Sequence, residues 1–472
     1  MYQIDFDRPI RVYFCGIGGI SMSGLALILK SRGFTVSGSD RSASAETQRL
    51  TAEGIPVAIG QRGENITDDI DLVIFTAAIH PDNPEYIAVQ EKGIPSLTRA
   101  ELVGEIMRNY GMPFAISGTH GKTTTTSMLS DILLAADADP TLSIGGNLKT
   151  IGGNVRIGHS DFFVAEACEY TNSFLSFAPR IGVILNIEAD HLDFFQDLAD
   201  IRRSFRAFAS LLPKDGCLVI NADIPDYEEI TEGLTCPVVT FSEHPGADYV
   251  CAGISYDESG EPSFIVETDK RSLLKKKMPV VAPLSQEFTL AVPGHHNVMN
   301  ALAAIACADI AGVDRAITHS ALAEYRGADR RFQYYGVRNG FTIIDDYAHH
   351  PTEIRATLEA AAALPHDKLW VVFQPHTYSR TKALLPEFAD ALSLADTVIA
   401  ADIYAARETD TLGMSAELLS REISSRGTPG LYVGGFHEIE EYLLKNCRKN
   451  DLLITMGAGN VDTIAKDLMS GG

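Results

Sequence analysis

The chain alternates between two textures. Short apolar runs rich in β-branched and aromatic residues recur along it: "RVYFC", "DLVIFTAAI", "FFVAEA", "IGVILNI", "GCLVINAD", "PVVTFS", "FTIIDDYA", "LWVVFQP" and "DLLITMGAG". Helix-compatible stretches separate most of them. Runs that are apolar throughout suit strands buried on both faces, and their alternation with helices predicts parallel α/β sheets. One region breaks the rhythm. "DYVCAGISYDESGEPSFIVET" reads as a hairpin turning near Gly260, with "EFTLAVPG" as a further strand, which predicts an antiparallel annex on a parallel core. "NVMNALAAIACADIAG" is apolar all round and predicts a buried helix.

At 472 residues, about three domains are expected. The texture divides the chain at 1–103, 104–325 and 326–472: a Rossmann-like unit, a mainly parallel unit with the annex, and a second Rossmann-like unit. The net charge of −23 disfavours nucleic acid, which demands a cationic surface, and disfavours an anionic membrane. No apolar run approaches the ~18 residues of a membrane span, and the first residues lack the pattern of a signal peptide. Seven scattered cysteines without a CxxC fit reduced, buried thiols. A cytoplasmic protein without membrane insertion is expected.

The chemistry concentrates in "ISGTHGKTTTTSML". An apolar segment feeds a glycine turn, Gly118-Thr119-His120-Gly121, and Lys122, Thr123 and Thr124 open a helix. Such a turn brings backbone N–H groups and a helix N-terminus to phosphate oxygens; the lysine neutralises phosphate charge and the Thr123 hydroxyl can ligate Mg²⁺. The loop is G-x-x-G-K-T, because Ile116 stands where the usual P-loop has its first glycine. Hard oxygen ligands for Mg²⁺ are available past two other apolar runs. Glu166 ends "FFVAE", and Asn186, Glu188, Asp190 and His191 follow "IGVIL". In a parallel sheet these strand ends open on the same edge as the loop. Near the N-terminus, "GIGGIS" supplies Gly16, Gly18, Gly19 and Ser21, with Asp40 ending the next strand. These are the mechanics of a nucleotide diphosphate site, and they do not separate a dinucleotide from another diphosphate.

"GTHGKTTTT", "EACEY", "NIEADHLD", "GHHNVMNALAA", "RRFQ", "DDYAHHPTE" and "FQPHTYSRT", in this order, resemble the Mur ligases of peptidoglycan synthesis, and "GIGGISMSGLA", "TAAIHPDNPE" and "RAELVGEIMR" extend the resemblance to the N-terminus. It implies a cytoplasmic, ATP-dependent amide ligase with a central P-loop ATPase-like domain and Mg²⁺ as cofactor. The small-molecule substrates would be ATP, UDP-N-acetylmuramate and L-alanine, the assembly a monomer or weak homodimer. It implies that residues 1–103 bind the uridine substrate, 104–325 bind ATP, and 326–472 close over ATP and the amino acid about a hinge near Tyr325 to Gly327. It assigns ATP to Gly118, Thr119, His120, Gly121, Lys122, Thr123, Thr124, Asn297, Asn300, Arg331 and Asp346. The metal would sit on Thr123, Glu166 and His191, and Lys122, His191 and Arg331 would be catalytic. UDP would meet Gly16, Gly18, Gly19, Ser21 and Asp40. The amino acid and muramyl groups would meet Tyr347, His349, His350, His376 and Arg380.

Two features depart from the family pattern. "EACEYT" stands where many alanine-adding members read E-A-D-E-S-D. No lysine lies between His191 and Pro213, where sister ligases carry a carbamylated lysine; Arg202, Arg203 and Arg206 are there, and a fixed cation could do that charge work. Two other functions stay open at this point: a ligase adding a preformed peptide to the muramyl acid, and a nonenzymatic nucleotide sensor.

Overall fold

The computed structural model describes residues 2–406, 408–410 and 412–470. It is an α/β protein built on three sheets. The first has five parallel strands, with Arg11–Cys15 at its centre between Thr35–Asp40 and Leu72–Phe75. The second has ten strands. Its parallel heart sets Met112–Ser117 between Phe162–Glu166 and Ile181–Ile184, then continues through Cys217–Asn221 to Val238–Ser242. The third has six strands, parallel except for the edge strand Gln333–Arg338.

The expected hairpin is present as Tyr249–Tyr256 and Pro262–Thr268, with Gly260 at φ +71° in the turn and Ser285–Thr289 as the outer strand. Tyr249–Tyr256 also pairs in parallel with Val238–Ser242, so the annex is a continuation of the central sheet. Helix His295–Ile310 is buried almost throughout, as its all-round apolarity demands. Helix Arg99–Met107 runs through position 103 and lies so close to the segment Tyr170–Ser176 that a Cβ at Gly104 would overlap the Ser176 carbonyl. One hydrophobic cluster accordingly unites Val12, Leu25 and Ile74 of the first unit with Phe163, Phe174 and Phe205 of the second. The seven cysteines are all free. Among the described residues, no helix is long and apolar enough to cross a membrane.

A buried ion pair ties the annex to the long helix. Arg315 is fully buried; it bonds Asp309 at 2.6 Å, the Thr268 hydroxyl at 2.7 Å and the Pro283 carbonyl at 3.0 Å, and Tyr249 donates to the same aspartate at 3.0 Å. Breaking such a pair leaves an uncompensated buried charge and costs about 3–5 kcal/mol, whereas replacing both partners by apolar groups is far milder. Arg315→Ala should therefore lower the thermal midpoint by several degrees, and Arg315→Met with Asp309→Leu should regain part of the loss. Calorimetry of the three proteins checks the order.

Candidate active site

The glycine loop leaves strand Met112–Ser117 and enters helix Lys122–Ala135 at the carboxyl edge of the central sheet. Gly121 stands at φ +80°, and a Cβ there would overlap the Asn300 amide oxygen, so strain and space both require glycine. Asn186, considered above as an oxygen ligand, clamps the loop instead: its Oδ1 accepts from the His120 N–H at 2.7 Å and its Nδ2 donates to the His120 carbonyl at 3.1 Å.

Lys122 donates to the carbonyls of Gly118 (2.5 Å) and Thr119 (3.0 Å) and to Glu169 Oε2 (2.9 Å). Burial works against its charge, but Glu169, with Cys168 and Glu166 behind it, holds the ammonium above the usual lysine range. Glu169 is 2% exposed, and its other oxygen has no hydrogen-bond partner among the described residues. That oxygen lies 3.7 Å from His191 Nε2. Burial lowers the His191 pKa, favouring the neutral imidazole that a metal requires. Thr123 donates to Glu166 Oε2 at 2.7 Å, and the same oxygen accepts from the Gly145 N–H at 3.1 Å. The Thr123 and Glu166 oxygens suit a hard divalent cation, and the unpartnered Glu169 oxygen beside a neutral His191 leaves a buried acceptor for positive charge.

The departure at "EACEYT" has a local account. Tyr170 stacks on the His191 ring at 4.5 Å and donates to Asp193 at 2.7 Å, so it orients the histidine. Burial pushes the Cys168 thiol up to about 11, so it stays protonated. The arginines after His191 do not serve the site. Arg202 bonds the Pro225 and Asp226 carbonyls and Glu229, Arg203 bonds Asp200, and Arg206 reaches Glu232. The cation beside His191 is Arg380, which bonds Asp190 Oδ1 at 3.0 Å from the third unit.

Two cavities flank this line of residues. The first, of about 250 Å³, is lined by Gly121, Thr124, Asn297, Asn300, Arg331 and Asp346, with Leu185, Phe241, Val292 and Tyr325 as apolar walls. The second, of about 530 Å³, is lined by Asp190, His191, Tyr347, His349, His376 and Arg380. His350 does not line the second cavity. Its ring lies 4.8 Å from that of His120, tilted by 38°, and it donates to the Ala189 carbonyl. His120, Glu188 and His350 do bring one potential ligand atom each within 4.8 Å of one another. With His350 Nε2 on Ala189 and its Nδ1 accepting from the Thr352 N–H, neither nitrogen offers a free lone pair to a metal.

Asp346 faces the first cavity with both oxygens engaged, one by the Phe332 N–H and one by the Ala348 N–H; burial raises its pKa to about 6. The two arginines of "RRFQ" differ sharply. Arg330 is spent on Asp345 and on the Gly457 and Gly459 carbonyls. Arg331 makes no side-chain hydrogen bond to a described residue and lies over the Tyr347 ring, 5.2 Å from its centroid.

In the first unit the glycine turn spends its own amides. Gly16 and Ile17 donate to the Ser39 carbonyl, Gly18 to Asp40 Oδ2, and Gly19 to Gly16. These four amides are therefore paired within the turn and the strand beside it. The donors left over are those of the first turn of helix Ile20–Ser31, and Asp40 acts as the clasp of the turn. Ser21 accepts from Arg99, whose charge is also felt by Glu166 and Cys168 of the central unit. Arg99 was not among the residues the sequence singled out. Its signal there, an arginine opening a capped helix, is shared by many surface residues.

Three family models match in order: "Mur ligase family, catalytic domain" over residues 11–111, "Mur ligase middle domain" over 116–308, and "Mur ligase, glutamate ligase domain" over 330–459. The chain belongs to the Mur ligase family. It is 56% identical over 470 residues to the UDP-N-acetylmuramate–L-alanine ligase of Lachnospira eligens, covering 99% of this chain and 100% of the relative. It is 55% identical to the ligase of the same name from Agathobacter rectalis, with 99% and 100% covered. The crystal structure of UDP-N-acetylmuramate-alanine ligase MurC from Thermotoga maritima superposes with a TM-score of 0.78 at 30% identity, covering 98% of this chain and 99% of that one. A murein peptide ligase from Psychrobacter arcticus shares the fold, with a TM-score of 0.68 at 24% identity and 98% of each chain covered.

The contrast between Arg330 and Arg331 is testable by stability alone. Arg330→Ala should cost about 3 kcal/mol by stranding the buried Asp345. Arg331→Ala should lower the thermal midpoint far less, since its side chain makes no hydrogen bond to a described residue. Thermal unfolding of both variants decides it.

Proposed function

We propose that this Mur ligase joins L-alanine to the lactyl carboxylate of UDP-N-acetylmuramate at the expense of ATP, through an acyl phosphate. The observation that carries the reading is the line Lys122–Glu169–His191, which runs from the glycine loop beside the first cavity to the second. ATP would lie in the first cavity, its base between the apolar walls and the Asn297–Asn300 pair. The carboxylate and the amine would meet in the second.

A carboxylate is a poor electrophile. Its oxygen attacks the γ-phosphorus, ADP leaves, and the alanine nitrogen then attacks the acyl carbon and expels phosphate. The work of the protein is alignment and charge neutralisation. Lys122, freed from the loop carbonyls by the arriving phosphates, and Arg331, free from the start, would balance the transferred group. Mg²⁺, held by Thr123, Glu166 and His191, would supply Lewis-acid neutralisation of phosphate oxygens. Arg380, fixed by Asp190, would hold the acid or the amino-acid carboxylate, and the closed walls would keep water from the acyl phosphate. We assign residues 1–103 to the uridine nucleotide, 104–325 to ATP and 326–472 to closure. The close identity to alanine-adding relatives favours alanine over a preformed peptide, and the phosphate-transfer line favours an enzyme over a sensor.

Phosphate release from ATP should require both UDP-N-acetylmuramate and L-alanine. Lys122→Ala should lower kcat at least 10²–10³-fold, the usual loss for a group that stabilises transition-state charge. His191→Ala should raise the Mg²⁺ needed for half-maximal rate; an unchanged titration would make His191 a structural residue.

A further inference from the structure

Glu353 stands where three segments meet. It is the third residue of helix Pro351–Ala362 and closes that helix's capping box. One carboxylate oxygen faces His120 Nδ1 of the glycine loop at 3.1 Å. The other accepts from the main-chain N–H of His349 at 3.0 Å and of His350 at 3.3 Å, and lies 3.3 Å from His349 Nδ1. The far side of His120 is closed as well. Its Nε2 lies 3.5 Å from Glu188 Oε2, and that oxygen accepts from Thr352 at 2.7 Å, on the same helix as Glu353. The four side chains form a ring across two units: His120 and Glu188 from the central one, Thr352 and Glu353 from the third.

The main chain of His120 is held by Asn186, which bonds both its N–H and its carbonyl, and the ring is held by Glu353. Its position therefore reports the conformation of the loop that receives phosphate. Glu353 in turn fixes His349, which lines the second cavity with Tyr347 and Arg380. A full capping box needs no histidine from another unit, so helix capping leaves the His120 contact unexplained.

We propose that the His120–Glu353 contact couples the two cavities, with Glu353 as a positioning residue that sets His349 for the amino acid only when the third unit is seated on the phosphate loop. The proposal rests on the alanine-ligase reading and adds to it a route by which ATP organises the amine site. Two elements joined this way bias one another reciprocally. Burial opposes the charge on His120, but Glu353 and Glu188 raise its pKa to about 9, while the histidines around Glu353 hold that carboxyl well below its usual range. The contact is therefore a charged one at neutral pH.

The test is steady-state kinetics on the full chain with Glu353→Gln, His120→Asn and the double variant. Glutamine keeps an acceptor for the His349 and His350 amides and loses the charge. Glu353→Gln should raise KM for L-alanine about tenfold, with KM for UDP-N-acetylmuramate and kcat at saturating alanine within about twofold. His120→Asn should raise KM for alanine similarly, and the double variant should be no worse than the worse single one. KM for alanine within twofold of wild type in both single variants, or multiplicative effects in the double, would overturn the coupling. Should Glu353→Gln fail to fold, His120→Asn alone decides by the same criterion. Wild-type enzyme that ignores alanine would instead overturn the functional reading beneath it.

Discussion

A buried carboxylate with one oxygen satisfied and one not is the constraint around which this site is arranged. Glu169, at 2% exposure, is met by Lys122 at 2.9 Å, and Lys122 in turn is held by Glu169 and two loop carbonyls. The second oxygen, facing a neutral His191, is a standing demand for positive charge. A protein with a net charge of −23 cannot attract a nucleoside triphosphate and a carboxylate by its overall field. It must hold a few cations in place locally, each oriented by an acid: Lys122 by Glu169, Arg380 by Asp190, His120 by Glu353 and Glu188. Arg331 is the exception, and its freedom is consistent with a group that waits for phosphate.

The backbone pays for this arrangement at a few glycines. Gly121 takes a conformation that side-chain-bearing residues rarely adopt while pressing against Asn300. Gly145, inside strand Thr141–Leu148, is there because a Cβ would overlap the Glu166 carboxylate that its own N–H holds. The parallel sheet then does the rest. Strands Met112–Ser117, Phe162–Glu166 and Ile181–Ile184 are neighbours, so the loop, Glu166 and the segment to His191 open at one edge.

Much of this was legible in the sequence, because long apolar runs and a glycine-lysine-threonine turn survive any context. The antiparallel annex, the buried helix and the grouping of Lys122, Thr123, Glu166 and His191 at one edge were expected and are present. What was not legible depends on contacts between distant segments. Strand Thr141–Leu148 hides behind its glycines, and the edge strand Gln333–Arg338 has no apolar run because one side faces solvent. Adjacent arginines 330 and 331 look alike until Asp345 claims one of them. Nothing in the N-terminal glycine run announces that the Gly16 and Gly18 amides meet Ser39 and Asp40. Arginines 202, 203 and 206 follow His191 in sequence, but 202 and 206 bond the segment from Pro225 to Glu232 and 203 bonds Asp200, while the cation beside His191 comes from position 380.

The central claim is that the lactyl carboxylate itself receives the γ-phosphoryl group before the amine attacks. UDP-N-acetylmuramate carrying ¹⁸O in both carboxylate oxygens tests it directly, with mass spectrometry of the inorganic phosphate released during turnover with ATP and L-alanine. Transfer through an acyl phosphate predicts one ¹⁸O in each phosphate and one retained in the amide. Phosphate free of ¹⁸O would contradict the account.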